Sequence, residues 1–331
     1  MLALCRLDWP RGYRFRLGNV GESAVSETLI IGMGEIGIAL ASHLENVQRD
    51  FSIVARRRRV PTPIKSSISR FRLINLGVDR IPGSLLDGVS TILYAAGTPQ
   101  PSAPLSATSV VVANELVPLQ ALITAIEEAK WQGTFVFASS GGTIYGRSPL
   151  GTPWKESDSC HPISAYGIAK YAAENLLAES ATRGGFKLII ARISNIVGTR
   201  LNFASGIGFV QTAVHRALKD LPIEIFGDGS ITRDFIDVAD VAAILANLNC
   251  DGGDAGFVIN VSSGVATSLT DVVALVEHES RTSAKVIYSP RRSSDLKNNL
   301  LSNAKLNLLK APTYTPLVTS IQRLIIDFSN L

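Results

Sequence analysis

The first apolar run, Thr28-Leu29-Ile30-Ile31, breaks at Gly32-Met33-Gly34-Glu35-Ile36-Gly37 and resumes at helical spacing from Ile38 to Leu44. A short apolar run, a glycine turn and a helical period predict strand, turn and helix. A second strand is expected at Phe51 to Ala55. Further buried strands are expected at Phe71 to Leu76, Thr91 to Ala95, Thr134 to Ala138 and Leu188 to Ile193. Helical periodicity lies between them, most clearly over Val110 to Lys130 and Ala165 to Thr182. Apolar strands alternating with helices predict a parallel sheet covered on both faces. Beyond about residue 195 the pattern changes. It predicts a helix over Phe203 to Lys219, a strand at Ile223 to Phe226, a turn at Gly227 to Ser230 and an extended segment at Arg233 to Val238. A helix over Val238 to Leu248, a strand at Phe257 to Val261, a helix over Leu269 to Glu279 and a last helix near Leu317 to Asp327 follow.

Composition narrows the class. Of 331 residues, 46% are hydrophobic and 18% charged, which excludes intrinsic disorder. Cys5, Cys160 and Cys250 lie far apart, as do the four histidines, so neither a disulfide framework nor a structural zinc site is expected. No apolar stretch reads as the roughly 18–20 residues a bilayer span needs. The start carries Arg6, Arg11, Arg14 and Arg16 without a continuous apolar core, so it is not a secretory signal. Residues 1–26 are expected to be a flexible extension or an upstream translation artefact, and the protein cytoplasmic. Net charge is +4, and without Arg56-Arg57-Arg58-Arg59 the remaining basic and acidic residues balance. The basicity belongs to one loop, and no nucleic-acid partner is implied.

That loop bears on a nucleotide site. Gly32 permits a tight turn, Gly34 lets a pyrophosphate approach the backbone, and Gly37 lets the helix pack against the strand, its N-terminal amides facing the phosphates. NAD sites usually carry an acid at the end of the second strand for the ribose 2′-hydroxyl, whereas NADP sites place arginine near the 2′-phosphate. Here the strand ends Val54-Ala55-Arg56-Arg57 with no acid nearby. Arginine matches phosphate by bidentate, charge-assisted hydrogen bonds. NADP(H) is expected, with NAD the alternative.

Tyr166-Gly167-Ile168-Ala169-Lys170 puts a phenol and an ammonium on one helix face. Upstream, at a predicted strand end, lies Phe137-Ala138-Ser139-Ser140-Gly141-Gly142-Thr143-Ile144-Tyr145-Gly146. With these motifs in order, the chain resembles the extended short-chain dehydrogenase/reductase family, the NAD(P)-dependent nucleotide-sugar epimerases and dehydratases. Tyr94-Ala95-Ala96-Gly97 looks like that family's strand end beside the nicotinamide ribose, and Asn114 sits in the helix after it. Arg192-Ile193-Ser194-Asn195 resembles the segment joining cofactor and sugar sites. Phe226 to Ile236, with Arg233, is similar to its Gly-Asp-Gly turn and Arg-Asp strand, and Arg292-Ser293-Ser294-Asp295 to a late diphosphate-binding segment.

The resemblance implies a Rossmann doubly wound α/β domain over 27–195 and a smaller α/β nucleotide-sugar lobe over 196–331, with some exchange of segments. It implies Tyr166 as acid/base and Lys170 as the residue that binds the nicotinamide ribose and lowers the phenol pKa. Cofactor contacts fall on Gly32, Gly34, Glu35, Ile36, Gly37, Arg56, Arg57, Ala95, Ala96, Gly97, Asn114, Ser139, Tyr166, Lys170 and Ile193. Substrate contacts fall on Asn195, Arg233 and Arg292, and no metal is expected. A homodimer through a four-helix bundle is implied, its helices Val110 to Lys130 and Ala165 to Thr182.

Three positions depart from the family pattern. Ile31 stands where its glycine turn begins, Gly141 stands at the usual Ser/Thr position, and Ser294 replaces a late glycine. Ser140 or Thr143 must then supply the catalytic hydroxyl. The reading put first is a nucleotide-sugar 4-epimerase, on the Ser-Ser-Gly-Gly-Thr segment. Its alternatives are an NADPH-dependent 4-keto-sugar reductase, favoured by the arginines, and a non-catalytic dinucleotide-binding protein. A dehydratase is disfavoured because Gly142-Thr143 replaces an Asp-Glu pair.

Overall fold

The computed structural model describes residues 27–56, 71–76, 79, 81–97, 105–147, 152–198, 208–250, 256–291, 298–309 and 314–329. The 1–26 extension, Arg57 to Arg59 and Arg292 to Asp295 lie outside them. In chain order the first half forms β1 (Glu27–Ile31), α1 (Glu35–Asn46), β2 (Phe51–Ala55), β3 (Phe71–Leu73), β4 (Val89–Tyr94), α2 (Thr108–Glu128), β5 (Thr134–Ser140), α3 (Ala165–Gly184) and β6 (Lys187–Ile193). The second forms β7 (Asn195–Val197), α4 (Phe209–Leu218), β8 (Ile223–Phe226), β9 (Thr232–Asp237), α5 (Val238–Asn247), β10 (Gly256–Val261), β11 (Ala266–Ser268), α6 (Leu269–Ser280), β12 (Val286–Ser289), β13 (Asn298–Asn299), α7 (Ala304–Leu308) and α8 (Leu317–Ser329).

Seven parallel strands make the main sheet in the order β10-β6-β5-β4-β1-β2-β3. This is a Rossmann-type doubly wound fold. Its strand order reverses between β1 and β4, the place where such sheets open a crevice at the carboxyl ends of their strands. Leu40, Ala41 and Leu44 of α1 with Val241 and Leu245 of α5 cover one face. Leu119, Leu122 and Ile123 of α2 with Ala173 and Leu177 of α3 cover the other. Two elements from the second half, α5 and β10, therefore complete the first-half layers. The smaller lobe has its own core between α4, α6, α8 and β8, from Val210, Val214, Val272, Val276 and Ile321 to Ile223 and Ile225. A second sheet centred on β9, with β7, β11 and β13, draws its strands from 195–299 and carries polar positions.

One expectation needs correction. The stretch Leu105–Glu128 is long and apolar enough, by length and composition, to cross a bilayer. Its apolar character has another use here. Leu119, Leu122, Ile123 and Ile126 are fully buried in the core, and Glu115 beside them is ion-paired.

Candidate active site

The β1–α1 turn builds one end of the site. Gly32 has φ +105, a region that L side chains rarely adopt, and a Cβ there would lie 2.6 Å from the Ala96 amide nitrogen. A Cβ on Gly37 would overlap the Gly32 carbonyl oxygen. Gly34, by contrast, faces open space, with nothing within 4 Å of a would-be Cβ. It is also the N-cap of α1 and offers no side chain to the helix amides. First-turn amides left uncapped beside open space fit an anion such as a pyrophosphate.

A groove of about 360 Å³ runs along this turn, lined by Gly32, Met33, Gly34, Ala55, Arg56, Ala95, Ala96, Gly97 and Asn114. No acid lines it among the described residues. Arg56 stands exposed just past the end of β2, at the rim where the sequence places a 2′-phosphate; Arg57 lies outside the described residues. Ile36 packs into the core below. Glu35 faces a separate depression with His43, Asp237 and Arg323. At these two positions only the helix backbone is turned toward a phosphate.

At the other end stand the residues expected to serve as acid/base groups. Ser164 caps α3, accepting from the Gly167 amide at 3.1 Å, and fixes where Tyr166 and Lys170 leave the first turns. Tyr166 is hydrogen bonded to Ser140, whose Oγ accepts from the Thr143 hydroxyl at 3.0 Å. Both candidate hydroxyls therefore belong to one chain, with Ser140 next to the phenol. Gly141 has no room for a larger residue. A Cβ there would overlap the Leu301 side chain and sit 3.0 Å from the Arg192 carbonyl oxygen, and the Gly141 amide is held by the Ile193 carbonyl at 2.8 Å. Burial pushes the Tyr166 phenol up, Lys170 pulls it down, Glu115 pushes it up again and the Ser140 hydrogen bond lowers it; the balance is above its ordinary value.

Lys170 is buried, donating to Glu115 Oε1 at 2.7 Å and to the Ala138 carbonyl at 3.2 Å. An ammonium has three donors, so one remains. Burial disfavours its charge, but Glu115 and Tyr166 outweigh that and raise its pKa. A Cβ on Gly97 would lie 3.2 Å from Lys170 Nζ and 2.9 Å from Glu115 Oε2, so the ion pair lies directly beneath the groove floor.

A second buried pair supports the catalytic segment from behind. Arg192 donates to both Glu174 oxygens, at 2.8 Å from Nη2 and 3.2 Å and 3.3 Å from Nε, and from Nη1 to the Tyr145 hydroxyl at 3.1 Å. Ser139 donates to Glu174 Oε1 at 2.5 Å. The Ser139 hydroxyl, expected among the cofactor contacts, is thus committed to the core, and only its backbone is left for that role. Tyr145 donates in turn to Asn260 Oδ1 at 2.7 Å, tying β10 to the same segment.

Toward the smaller lobe, Asn195 donates to the Asp234 carbonyl at 3.0 Å. Arg233 pairs in register with Asn299, whose side-chain amide donates to the Gly142 carbonyl at 2.5 Å. Asn299 thus ties β9, which carries Arg233, to the segment that carries Ser140. Arg233 Nη1 also donates to the Thr232 carbonyl at 2.9 Å. Arg292 lies outside the described residues. Glu115, Glu174, Arg192 and Asn299 have no assigned role in the sequence reading. For Glu115, Glu174 and Arg192 the one mark left there is a charge inside an apolar strand or helix; Asn299 leaves none.

A profile of the NAD dependent epimerase/dehydratase family matches residues 28–262, across the groove, the Tyr166 helix and β9. The chain belongs to that family. It is similar to the dTDP-4-dehydro-6-deoxyglucose reductase of Escherichia coli, 34% identical over 143 residues, 43% of this chain and 44% of the relative. It is also similar to the UDP-glucose 4-epimerase of Azospirillum brasilense, 29% identical over 175 residues, 48% of this chain and 50% of the relative. The chain thus spans about half the length of these curated relatives. The fold is that of the UDP-glucose 4-epimerase of Thermotoga maritima solved with UDP-glucose. The TM-score is 0.83 at 22% identity, over 92% of this chain and 99% of the other.

Proposed function

We propose that this protein transfers hydride between NADP(H) and C4 of a nucleotide-diphosphate sugar, working as a 4-keto-sugar reductase. The observation that carries the reading is the hydroxyl chain Tyr166–Ser140–Thr143 set beside buried Lys170 at the end of the groove. When bound, the dinucleotide supplies the hydride. Tyr166 gives its proton to the oxygen of the reacting carbon, and Ser140 hydrogen-bonds that oxygen as charge develops on it. Lys170 holds the phenol in place and has a donor left for a ribose hydroxyl. Gly32, Gly34 and Gly37 shape the pyrophosphate end, and Arg56 faces the ribose rim. Arg233, with Arg292 where the family pattern puts it, binds the sugar nucleotide's diphosphate away from the chemistry, so that binding energy orients the sugar.

The 4-epimerase, first in the sequence reading, becomes the second. The Ser-Ser-Gly-Gly-Thr segment and the epimerases among the relatives favour it. Arg56 at the end of β2, with no acid in the groove, favours the reductase. We also propose a cytoplasmic homodimer through α2 and α3, with exposed Val110 and Val117 on the shared face. The test is a spectrophotometric assay with NADPH and a nucleotide-linked 4-keto-6-deoxy sugar. NADPH is expected to be consumed one for one, and Tyr166→Phe to lower kcat by about 10²–10⁴-fold. Interconversion of UDP-hexoses with no net change in nicotinamide absorbance makes the epimerase correct. Unchanged turnover in Tyr166→Phe removes the whole assignment.

A further inference from the structure

We propose that Glu115 sets the proton affinity of the Tyr166–Lys170 pair and holds the phenol in its acid form, poising the site to give a proton to a carbonyl oxygen. This rests on the reading of Tyr166 as the acid/base group and supplies its direction. Glu115 acts through Lys170 and is a positioning residue.

Lys170 and Glu115 are 4% and 3% exposed and stand 2.7 Å apart. Lys170 Nζ lies 4.8 Å from the Phe137 ring centre and 5.9 Å from that of Tyr166, so little but protein surrounds it. Among the described residues, two further ionisable groups act on the pair, Tyr94 and Glu174. Tyr94, from β4, is kept neutral by burial, with Glu115 adding to the effect. Glu174, four residues along α3, is held by Arg192 of β6. With the phenol protonated, Lys170 and Glu115 then sum to zero. Removing the phenol proton leaves a net negative charge in a buried site, which is costly. Were residue 115 neutral, the protonated phenol would leave a buried net positive charge instead, and losing the proton would restore neutrality.

Buried Lys170 needs a carboxylate to keep its charge, and the same carboxylate cancels most of the pull that charge exerts on the phenol, so the pair presents no net positive charge to Tyr166. The position of Glu115 Oε2 beneath Gly97 puts this negative charge against the groove floor as well.

The experiment is a pH titration of the full chain by NMR with 13C-ζ-labelled tyrosine, the Tyr166 resonance being assigned by its loss in Tyr166→Phe. It needs no substrate, so it can fail while the reductase assay succeeds, or the reverse. In the unsubstituted protein Tyr166 is expected to titrate above about 10, the ordinary value of a tyrosine. Glu115→Gln is expected to lower that midpoint by about one pH unit or more, a tenfold or greater change in proton affinity. Glu115→Asp, which keeps the charge, is expected to restore most of it. A merely structural role for Glu115 moves stability and leaves the midpoint where it was. An unchanged midpoint in Glu115→Gln overturns the proposal. If that variant does not fold, Glu115→Gln combined with Lys170→Met, which removes both buried charges together, is compared with Lys170→Met alone: a lower midpoint in the double variant supports the proposal, and equal midpoints overturn it.

Discussion

Two buried cation–carboxylate pairs, one helical turn apart on α3, do opposite kinds of work. Arg192–Glu174 is saturated at its carboxylate: both oxygens accept from the guanidinium fork, Ser139 adds a further donor, and Arg192 reaches on to the Tyr145 hydroxyl. Lys170–Glu115 is open. One contact joins the pair, a second carboxylate oxygen lies under Gly97, and an ammonium donor is left over. The first pair fixes the backbone that presents Ser140; the second faces the groove with capacity to spare. Fully satisfied buried charge makes a scaffold, and partly satisfied buried charge at a groove makes a site that can respond to what enters it.

The comparison is broken most forcefully at the saturated pair. Glu174→Ala leaves Arg192 charged, buried and without its carboxylate, and is expected to cost about 3–5 kcal/mol of stability, read from the midpoint of urea unfolding. A loss below about 1 kcal/mol, the range of an exposed pair, would mean that Arg192 finds water or another partner and that the scaffold reading is mistaken.

How much of this was legible follows from the range of each interaction. The β1–α1 turn was readable because its demands are local: Gly32, Gly34 and Gly37 serve a turn, an open approach and a close packing within six residues. The sheet strands were readable because strands buried on both faces are continuous apolar runs. The short polar strands β7, β11 and β13 went unread; Asn298–Asn299 has no alternation, and its pairing with Thr232 and Arg233 comes from afar in sequence. Glu115 and Lys170 are 55 positions apart, and Glu174 and Arg192 are 18 apart. On a helix a lone glutamate reads as a solvated position, and only the packing of α2 on α3 turns it inward. The Ser-Ser-Gly-Gly-Thr segment was likewise visible in the chain, and the buried carboxylate beside Lys170 was not.

A third buried carboxylate sharpens the contrast. Asp234, on β9, is fully buried and accepts from the Ser263 amide and hydroxyl at 3.0 Å and 2.9 Å and from the Gly264 amide at 3.1 Å. Burial outweighs these hydrogen bonds and lifts its carboxyl from 3.8 to about 6. A folded-state pKa raised above the unfolded one favours the protonated form. The stability it contributes is fully present below about pH 4 and is lost as pH rises through about 6. Two pKa units correspond to roughly 3 kcal/mol at most. Urea midpoints measured from acid to neutral pH, for the protein and for Asp234→Asn, would show this slope in the first and lack it in the second. Parallel curves would mean that the donors from Ser263 and Gly264 keep the carboxylate ionised throughout.

The smallest effect tests what the saturated pair is there to hold. If the scaffold presents Ser140 to the reacting oxygen, Ser140→Ala removes a donor aimed at developing charge and is expected to lower kcat by about 10²-fold, with little change in KM. Thr143 touches that oxygen only through Ser140, since its hydroxyl donates to Ser140 Oγ. Thr143→Ala is therefore expected to cost about tenfold or less, and the double variant little more than Ser140→Ala alone, because the two hydroxyls act in series. The comparison is made with the NADPH assay on the same keto sugar. Should Thr143→Ala lose as much as Ser140→Ala, with the two losses adding, the hydroxyls act side by side. The hydroxyl that Gly141 lacks would then be supplied by two donors, not one.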